Sequence, residues 1–231
     1  MKIHHLHRFD VGFREAVQIQ EHLRDKLIIN DRHIQRRPAI IAGADISYGK
    51  GSDMFFASVV LLSYPSLEVI EEAYAWERSS FPYIPGLLSF REGPPLLKAF
   101  AKLRRVPDIA IFDGQGIAHP RGIGLASHMG LFLDIPAIGC AKTLLCGNHN
   151  PVGELAGNYA DLVGDDLVIG AVVRTKERVK PVFVSPGHKI GFKRAVDMAL
   201  SCCAGYKLPE PVRLAHLAVN RFRREQYPTA G

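Results

Sequence analysis

Three strand-like segments follow one another early in the chain with only short turns between them. They are "AIIAGADIS" (39–47), "MFFASVVLLSY" (54–64) and "LEVIEEAYAW" (67–76), and Pro65-Ser66 supplies the second turn. Antiparallel strands can be joined by such short turns, whereas parallel neighbours need a long crossover, usually a helix. The spacing therefore predicts an antiparallel meander of three strands.

The rest of the chain alternates between helix and strand patterns. We expect helices at 13–29, 94–105, 122–133, 191–203 and 211–225, and strands at 108–112, 135–141, 166–174 and 180–185. Pro94 and Pro95 are expected in the first turn of their helix. The segment "SPGH" is expected to start a helix that Ser185 caps. The order predicts an α/β fold: a mixed sheet with parallel strands beside the first strand and helices on both faces. No repeat or linker appears, so residues 1–231 are expected to form a single domain.

Composition and charge narrow the class of protein. Hydrophobic residues make up 47% and charged residues 23% of the chain, as in globular proteins with a substantial core. No run of 18 apolar residues occurs, so a membrane-spanning helix is not expected. The segment "MKIHHLHRFD" lacks the apolar stretch of a signal peptide, so secretion is not expected either. The four cysteines form no CxxC pair, which favours reduced thiols and a cytoplasmic location.

The basic character of the chain suits a polyanionic partner. The net charge is +6, and residues 171–194 hold seven Lys or Arg against one acid, Glu177. Arg174 and Lys176 in this segment are candidate contacts to a phosphate backbone. A solvated surface without a partner remains the alternative for such a charge run.

Three acids fall where the predicted sheet would bind a ligand. Asp45 lies at the C-terminal end of the first predicted strand, after "IIAGA", and Asp113 follows the fourth, after "IAIF". Glu92 comes just ahead of the first crossover helix. Ligands of such sheets lie at the carboxyl ends of parallel strands where the chain order reverses. Alone, each acid is more often a cap or turn residue. Carboxylates crowded together repel one another unless a cation lies between them, and oxygen ligands suit Mg²⁺ or Mn²⁺.

Longer motifs carry a resemblance to a known family. They are "HRFD" (7–10), "GADIS" (43–47), "FPYIPGLLSFREGP" (81–94), "FDGQGIAHPRGIGLASHMG" (112–130), "IGCAKT" (138–143), "RTK" (174–176), "VSPGH" (184–188) and "RLAH" (213–216). Together they resemble the endonuclease V family of deoxyinosine-directed repair nucleases, whose fold is ribonuclease H-like. Cys140 stands where a small aliphatic residue is expected, and residues 144–166 match no motif of the family.

The resemblance assigns roles to individual residues. It implies that Asp45, Glu92 and Asp113 bind the metal, that His216 is the active-site histidine and that Lys142 lies near the scissile phosphate; all five are expected to be catalytic. From the helical pattern alone, His216 would be a core histidine, and His128 is still expected to be structural.

The resemblance also implies a DNA-reading surface. The segment Pro82, Tyr83, Ile84 and Pro85 corresponds to a wedge inserted where the damaged base leaves the duplex. The pocket for that base is expected to consist of Gly86, Leu88, Gly114, Gly116, Gly139 and nearby His119.

The implied activity is Mg²⁺-dependent hydrolysis of the second phosphodiester 3′ of deoxyinosine in double- or single-stranded DNA, leaving a 3′-hydroxyl and a 5′-phosphate. Mn²⁺ is expected to substitute, the protein is expected to be a monomer away from membranes, and some members of the family act on inosine in RNA.

A non-catalytic nucleic-acid-binding module on the same fold is an alternative, but it would be expected to lack one of the acids. A nucleotide-binding oxidoreductase, suggested by Gly122 and Gly124, is disfavoured because that run follows a loop rather than a strand.

Overall fold

The computed structural model describes residues 1–34, 37–49 and 51–226. The helices are α1 (Phe13–Arg24), α2 (Leu88–Ala101), α3 (Leu125–Leu133), α4 (Phe192–Ser201) and α5 (Glu210–Gln226). The strands are β1 (Ile40–Tyr48), β2 (Met54–Ser63), β3 (Val69–Arg78), β4 (Ile109–Phe112), β5 (Ala137–Ala141), β6 (Asn148–His149), β7 (Tyr159–Gly164), β8 (Leu167–Val173) and β9 (Val182–His188). Within the described residues, the nine strands form one sheet in the order β3-β2-β1-β4-β5-β9-β8-β7-β6.

The first five strands have the predicted ribonuclease H-like topology. β1 pairs antiparallel with β2, and β2 with β3, which confirms the meander. β4 lies parallel to β1 on its other side, and β5 lies parallel to β4. The chain order therefore reverses between β1 and β4, which is the position in open α/β sheets where ligands bind.

Helices cover both faces of this sheet, as the sequence predicts. Because side chains alternate along a strand, Ala42 and Ala44 of β1 face one way and Ile41 the other. The first two belong to a core with Leu96 of α2 and Phe132 of α3. Ile41 belongs to a second core with Val212 of α5 and residues of α4. Removing so much apolar surface from water is the main stabilising term of the fold.

The prediction for the start of α2 is wrong. The helix begins at Leu88, so Glu92 lies inside it, and Pro94 and Pro95 are interior rather than in the first turn. Proline lacks an N–H, and the helix therefore forgoes the hydrogen bonds that these two positions would make to the turn before them. Burial of the helix against the sheet compensates, since Leu96 and Phe100 are fully buried.

The "SPGH" segment is also not the start of a helix. Ser185 lies inside β9, is fully buried, and its hydroxyl accepts a hydrogen bond from Gly116 N at 2.8 Å. Pro186 is accommodated because the pairing of β9 with β5 shifts register between Ala137 and Ile138. Proline within a sheet is found at such irregularities, where no ladder donor is needed.

The other boundaries differ from prediction by a few residues, with α1 ending at Arg24 rather than 29. Residues 144–166 contain β6 and β7, which sequence patterns did not predict because most of their side chains are exposed. Cys140 is fully buried in the second core, where it acts as a small apolar side chain. None of the helices in the described ranges has the length and apolar character needed to cross a membrane.

Candidate active site

Asp113 directly follows β4, whereas Asp45 lies inside β1, which continues to Tyr48, rather than at the end of its strand as predicted. The two acids lie level with each other where the parallel pairing of β1 with β4 ends. Ala44 of β1 is the register partner of Phe112 of β4, and Asp113 N donates to Ala44 O at 3.0 Å. Neither carboxylate has much contact with solvent, since Asp45 is buried and the Asp113 side chain is 14% exposed. The predicted juxtaposition of these two acids is therefore present.

A glycine in β1 brings α5 against the same edge. A Cβ on Gly43 would lie 1.8 Å from Pro211 O, so the helix approaches the strand at a distance that only glycine permits. One turn and a half further along α5, the His216 ring reaches Asp45, with 2.7 Å between Nδ1 and Oδ2. One ligand atom from each of Asp45, Asp113 and His216 falls within a group less than 4.8 Å across.

Two residues that sequence reasoning missed support His216: Asn220 contacts its second nitrogen, and Ser47 holds Asn220. The Asn220 amide nitrogen lies 3.2 Å from His216 Nε2, and its oxygen accepts from the Ser47 hydroxyl at 2.8 Å. Asn220 is four residues after His216 on one helix, and Ser47 is two residues after Asp45 on one strand. These spacings put each on the same face as its neighbour, and that was the available signal.

Lys142 directly follows β5 and donates from Nζ to Asp113 Oδ2. Burial, followed by the charge of Asp45, raises the pKa of the Asp113 carboxyl, while Lys142 acts in the opposite direction. The hydrogen bond to Asp45 raises the pKa of His216 against the effect of its partial burial. Lys142 and His216 thus flank the acids, and a contact between either residue and a phosphate stays a prediction.

Glu92 reaches the acids from α2. It is 6% exposed, and burial raises its pKa to about 8, with further contributions from Asp45 and then Asp113. Its carboxyl lies outside the compact group formed by Asp45, Asp113 and His216. Buried carboxylates that raise one another's pKa in this way are stabilised as anions by a cation, and their oxygen ligands suit Mg²⁺ or Mn²⁺. The residues present therefore fit a divalent ion.

A pocket of about 150 Å³ opens beside the predicted wedge. Its walls are Gln20, Tyr83, Ile84, Pro85, Gly86, Leu88, Ser89, Gln115, His119, Gly124, Leu125 and Leu145. The structure thus brings Gly86, Leu88 and His119 together with the wedge. Gln20 and Leu145 come from distant segments, and no periodicity or motif marked them for this site.

The glycines Gly114, Gly116 and Gly139 pack behind the pocket rather than forming its walls. A Cβ on Gly139 would lie 2.2 Å from Gly116 N and 2.6 Å from Gly114 O. These residues let the loop after β4 lie directly on β5. Their contribution to the pocket is the close approach of two backbone segments.

The base of the wedge loop is fixed by hydrogen bonds to one carbonyl. Gly86 has a φ of +79°, and its oxygen accepts from Gln20 Nε2 at 3.0 Å, His119 Nε2 at 3.0 Å and Arg121 Nη2 at 2.6 Å. Burial, with the nearby charge of Arg121, lowers the pKa of His119 to about 4, so its ring is neutral. Its Nδ1 accepts from Arg121 N, which leaves Nε2–H as the donor to Gly86.

The tip of the loop projects outward from this anchor. Tyr83 is 68% exposed, and the Arg91 guanidinium lies 5.7 Å from the centre of its ring. Pro82 and Pro85 restrict the backbone on either side. An exposed aromatic ring on a rigid support is the arrangement that the wedge interpretation requires.

The two basic residues singled out by sequence differ in their surroundings. Arg174 donates from Nε to Gly153 O at 3.1 Å and from Nη1 to Val179 O, so it ties two loops together. Lys176 is exposed. A contact between either residue and a phosphate backbone stays a prediction.

Comparisons with known proteins agree with this geometry. The family model for endonuclease V matches residues 21–217. Endonuclease V of Gloeobacter violaceus is 45% identical over 228 residues, which cover 96% of this chain and 91% of that protein. The crystal structure of Bacillus subtilis endonuclease V matches with a TM-score of 0.91 and 31% identity and covers 98% of each chain.

A further solved relative contains nucleic acid. Ciona intestinalis endonuclease V, in complex with a 24mer DNA containing an inosine followed by a ribo-adenosine, matches with a TM-score of 0.81 and 27% identity. The match covers 93% of this chain and 98% of that chain. Because the family model and a 45% identical relative both extend over most of its length, the chain belongs to the endonuclease V family of nucleases.

Proposed function

We propose that this protein is a Mg²⁺-dependent DNA repair endonuclease that recognises deoxyinosine and hydrolyses the second phosphodiester bond on its 3′ side. The products would be a 3′-hydroxyl and a 5′-phosphate. One observation carries the proposal: Asp45, Asp113 and His216 form a compact group of possible metal ligands, in the same structure as a pocket partly walled by Tyr83, Ile84 and Pro85. The inosine-containing DNA bound by the Ciona relative supports the choice of substrate.

Asp45, Glu92 and Asp113 would hold the ion. When bound, Mg²⁺ in such sites activates water and stabilises charge on the attacking and leaving oxygens. The raised pKa of Glu92 means that this carboxyl must release a proton as the ion binds. Mn²⁺ has similar ligand preferences and is expected to substitute.

The other side chains of the site would act on the phosphate directly. Lys142 Nζ, held by Asp113, supplies positive charge and hydrogen-bond donors against the negative charge that grows on the phosphate oxygens. His216 is oriented by its bond to Asp45 Oδ2 and adds positive charge when protonated. Both groups are fixed before substrate arrives, so little reorganisation is needed during the reaction.

Recognition would proceed by extrusion of the damaged base. Removing a base from the duplex costs a few kcal/mol, and stacking of an aromatic ring in the gap compensates for part of that cost. Tyr83 would fill the gap, and the pocket that it helps to line would receive the base. Hypoxanthine lacks the exocyclic amine of guanine, and a closely packed backbone can exclude that amine sterically.

A duplex with a single deoxyinosine and an end label on the same strand tests this function. In Mg²⁺, a denaturing gel should show one product that maps to the second phosphodiester 3′ of the lesion. The matched duplex with deoxyadenosine should stay intact, and EDTA should stop the reaction. Equal cleavage of the deoxyinosine and deoxyadenosine duplexes would refute the proposal. Absence of any cleavage in both Mg²⁺ and Mn²⁺ would also refute it.

Inosine in RNA is a second candidate substrate. The DNA bound by the Ciona relative contains a ribo-adenosine directly after the inosine. The same assay with inosine-containing RNA, and with a DNA strand carrying one ribonucleotide 3′ of the lesion, compares the two activities. A higher rate on RNA than on DNA would make the endoribonuclease activity the principal one.

A further inference from the structure

A chain of side-chain hydrogen bonds leads from the N-terminal segment to the wall of the pocket. His7 Nδ1 lies 2.8 Å from Arg8 O, and His7 Nε2 lies 2.7 Å from His128 Nε2. His128 Nδ1 in turn lies 2.8 Å from the hydroxyl of Ser89, which is one of the residues that line the pocket. None of these three side chains belongs to the metal cluster or to the wedge.

The chemistry of the first acceptor fixes the direction of every bond. A carbonyl oxygen can only accept, so His7 Nδ1 carries the proton and donates to Arg8 O. In a neutral ring, His7 Nε2 is then an acceptor, and His128 Nε2–H must donate to it. His128 Nδ1 is consequently an acceptor, and the single proton of the Ser89 hydroxyl is committed to it.

The surroundings of the histidines keep both rings neutral. His128 is fully buried, and burial lowers its pKa well below the ordinary value. Burial likewise lowers the pKa of His7. The aromatic rings of Phe9, Phe90 and Phe132 pack around the pair, with centroids 4.8 to 6.0 Å from those of the imidazoles. Because the apolar environment keeps both rings neutral, the direction fixed at Arg8 O is passed along the whole chain.

We propose that Ser89 is a specificity-determining residue whose hydroxyl oxygen presents only lone pairs to the extruded base. The inference rests on the proposed function, since it concerns which base the pocket accepts. Hypoxanthine carries a proton on N1 and can donate it to this oxygen. Adenine carries a lone pair on N1, so in the same position two acceptors would face each other and leave a polar group unpaired.

This arrangement addresses the discrimination that matters most for a repair enzyme. Deoxyinosine arises from deoxyadenosine, and undamaged adenine outnumbers the lesion. Guanine also carries a proton on N1, so Ser89 does not distinguish it from hypoxanthine. Steric exclusion of the guanine amine by the packed backbone and selection of the N1 proton by Ser89 are therefore complementary.

A cycle of protein and substrate changes tests the inference. The protein change is Ser89→Ala, and the substrate change replaces N1 of the lesion base by C–H, which removes the donor. With wild-type protein, the altered base should lower kcat/KM by roughly 10- to 100-fold, the effect of removing one hydrogen bond so that a buried group is left unpaired. With the Ser89→Ala protein, deoxyinosine should lose a similar factor, and the altered base should cause little further loss.

Ser127→Ala is the matched control. Ser127 is a fully buried hydroxyl whose oxygen has no hydrogen-bond partner among the described residues, and it is not one of the residues that line the pocket. This variant should respond to the altered base as the wild type does. Thermal unfolding of both variants separates a loss of fold from a loss of recognition.

The outcomes separate this inference from the proposed function. Suppose that wild-type protein cuts deoxyinosine and that the altered base lowers kcat/KM by the same factor in Ser89→Ala as in wild type. The assignment of Ser89 is then overturned, and the proposed function stands. If wild-type protein does not cut deoxyinosine, the proposed function itself fails.

A second variant, His128→Asn, frees the Ser89 proton. It should lower the ratio of the affinity for deoxyinosine to the affinity for deoxyadenosine, measured in Ca²⁺. An unchanged ratio in a folded His128→Asn protein would contradict the role of the histidine chain.

Discussion

The imidazole of His216 lies 2.7 Å from the carboxylate of Asp45, although 171 residues separate them in the sequence. The contact exists because α5 lies directly on β1 at Gly43, where the backbone of Pro211 occupies the space of a side chain. A histidine on α5 is thereby placed beside the acid that β1 carries. The stability of the α5 contact and the integrity of the site are consequently linked.

Gly43→Ala should test that link. The new Cβ would have to displace backbone atoms of Pro211, since it would lie 1.8 Å from the carbonyl oxygen. Overpacking of this kind costs about 1–3 kcal/mol of unfolding free energy, measurable by urea denaturation. Gly49→Ala is the control, because its Cβ would meet Ser52 at an ordinary 3.5 Å. Equal stability of the two variants would contradict the close contact.

The raised pKa of Glu92 predicts how stability varies with pH in EDTA. Unfolded Glu92 ionises near 4.5 and the folded residue near 8, so between these values the folded state binds more protons. Stability contributed by this group should therefore fall as pH rises through the window, by up to about 1.4 kcal/mol per pH unit. Glu92→Gln should remove this slope.

Urea denaturation of wild type and Glu92→Gln at several pH values measures the effect. Adding Mg²⁺ to wild type should reduce the slope, because an ion stabilises the ionised carboxylate. Parallel pH profiles of the two proteins in EDTA would show that Glu92 is not protonated in the folded state.

Tyr83→Ala should impair cleavage of paired deoxyinosine by roughly 10- to 100-fold, since aromatic stacking on a base is typically worth about 1–3 kcal/mol. The loss should shrink on single-stranded substrate, where no stack has to be opened. Tyr159→Ala, which removes an exposed tyrosine from β7, should leave both rates unchanged. Equal losses on duplex and single strand would mean that Tyr83 is not a wedge.

Replacing Arg174 and Lys176 by Gln should weaken binding to all duplexes alike. If both side chains neutralise phosphates, the slope of log affinity against log salt concentration should become shallower. The slope should decrease in magnitude by about one for each phosphate that is no longer neutralised. The two carbonyl bonds of Arg174 predict that its replacement alone also lowers thermal stability. An unchanged salt slope in the double variant would identify this segment as a solvated surface.

Sequence patterns predicted the parts of this molecule that depend on local spacing. Short turns required the meander, and the end of a buried strand located Asp113. Asp45 was predicted beside it, although its strand continues to Tyr48. The start of α2 was wrong because Pro94 and Pro95 usually mark a first turn, and only tertiary packing shows that the helix runs through them. The "SPGH" segment was wrong for a similar reason, since the register shift in β9 that accommodates Pro186 is a property of the strand pair.

Contacts between distant segments could not be predicted in this way. Gln20 lies on α1 and reaches the Gly86 carbonyl, yet its helix shows only an amphipathic pattern. The chain from His7 through His128 to Ser89 joins three segments of the sequence, and each residue alone is consistent with a structural role. Donor and acceptor roles appear only when the distances are known.

Asp113→Ala tests whether the carboxylates beside β1 and β4 hold the ion needed for strand cleavage while the pocket recognises the lesion separately. The measurement pairs nicking of a deoxyinosine duplex in Mg²⁺ with a binding assay of the same duplex in Ca²⁺. We expect Asp113→Ala to abolish the nick and keep most of the affinity, and wild type in Ca²⁺ to bind without cutting. Turnover of Asp113→Ala near the wild-type rate in Mg²⁺ would contradict this expectation.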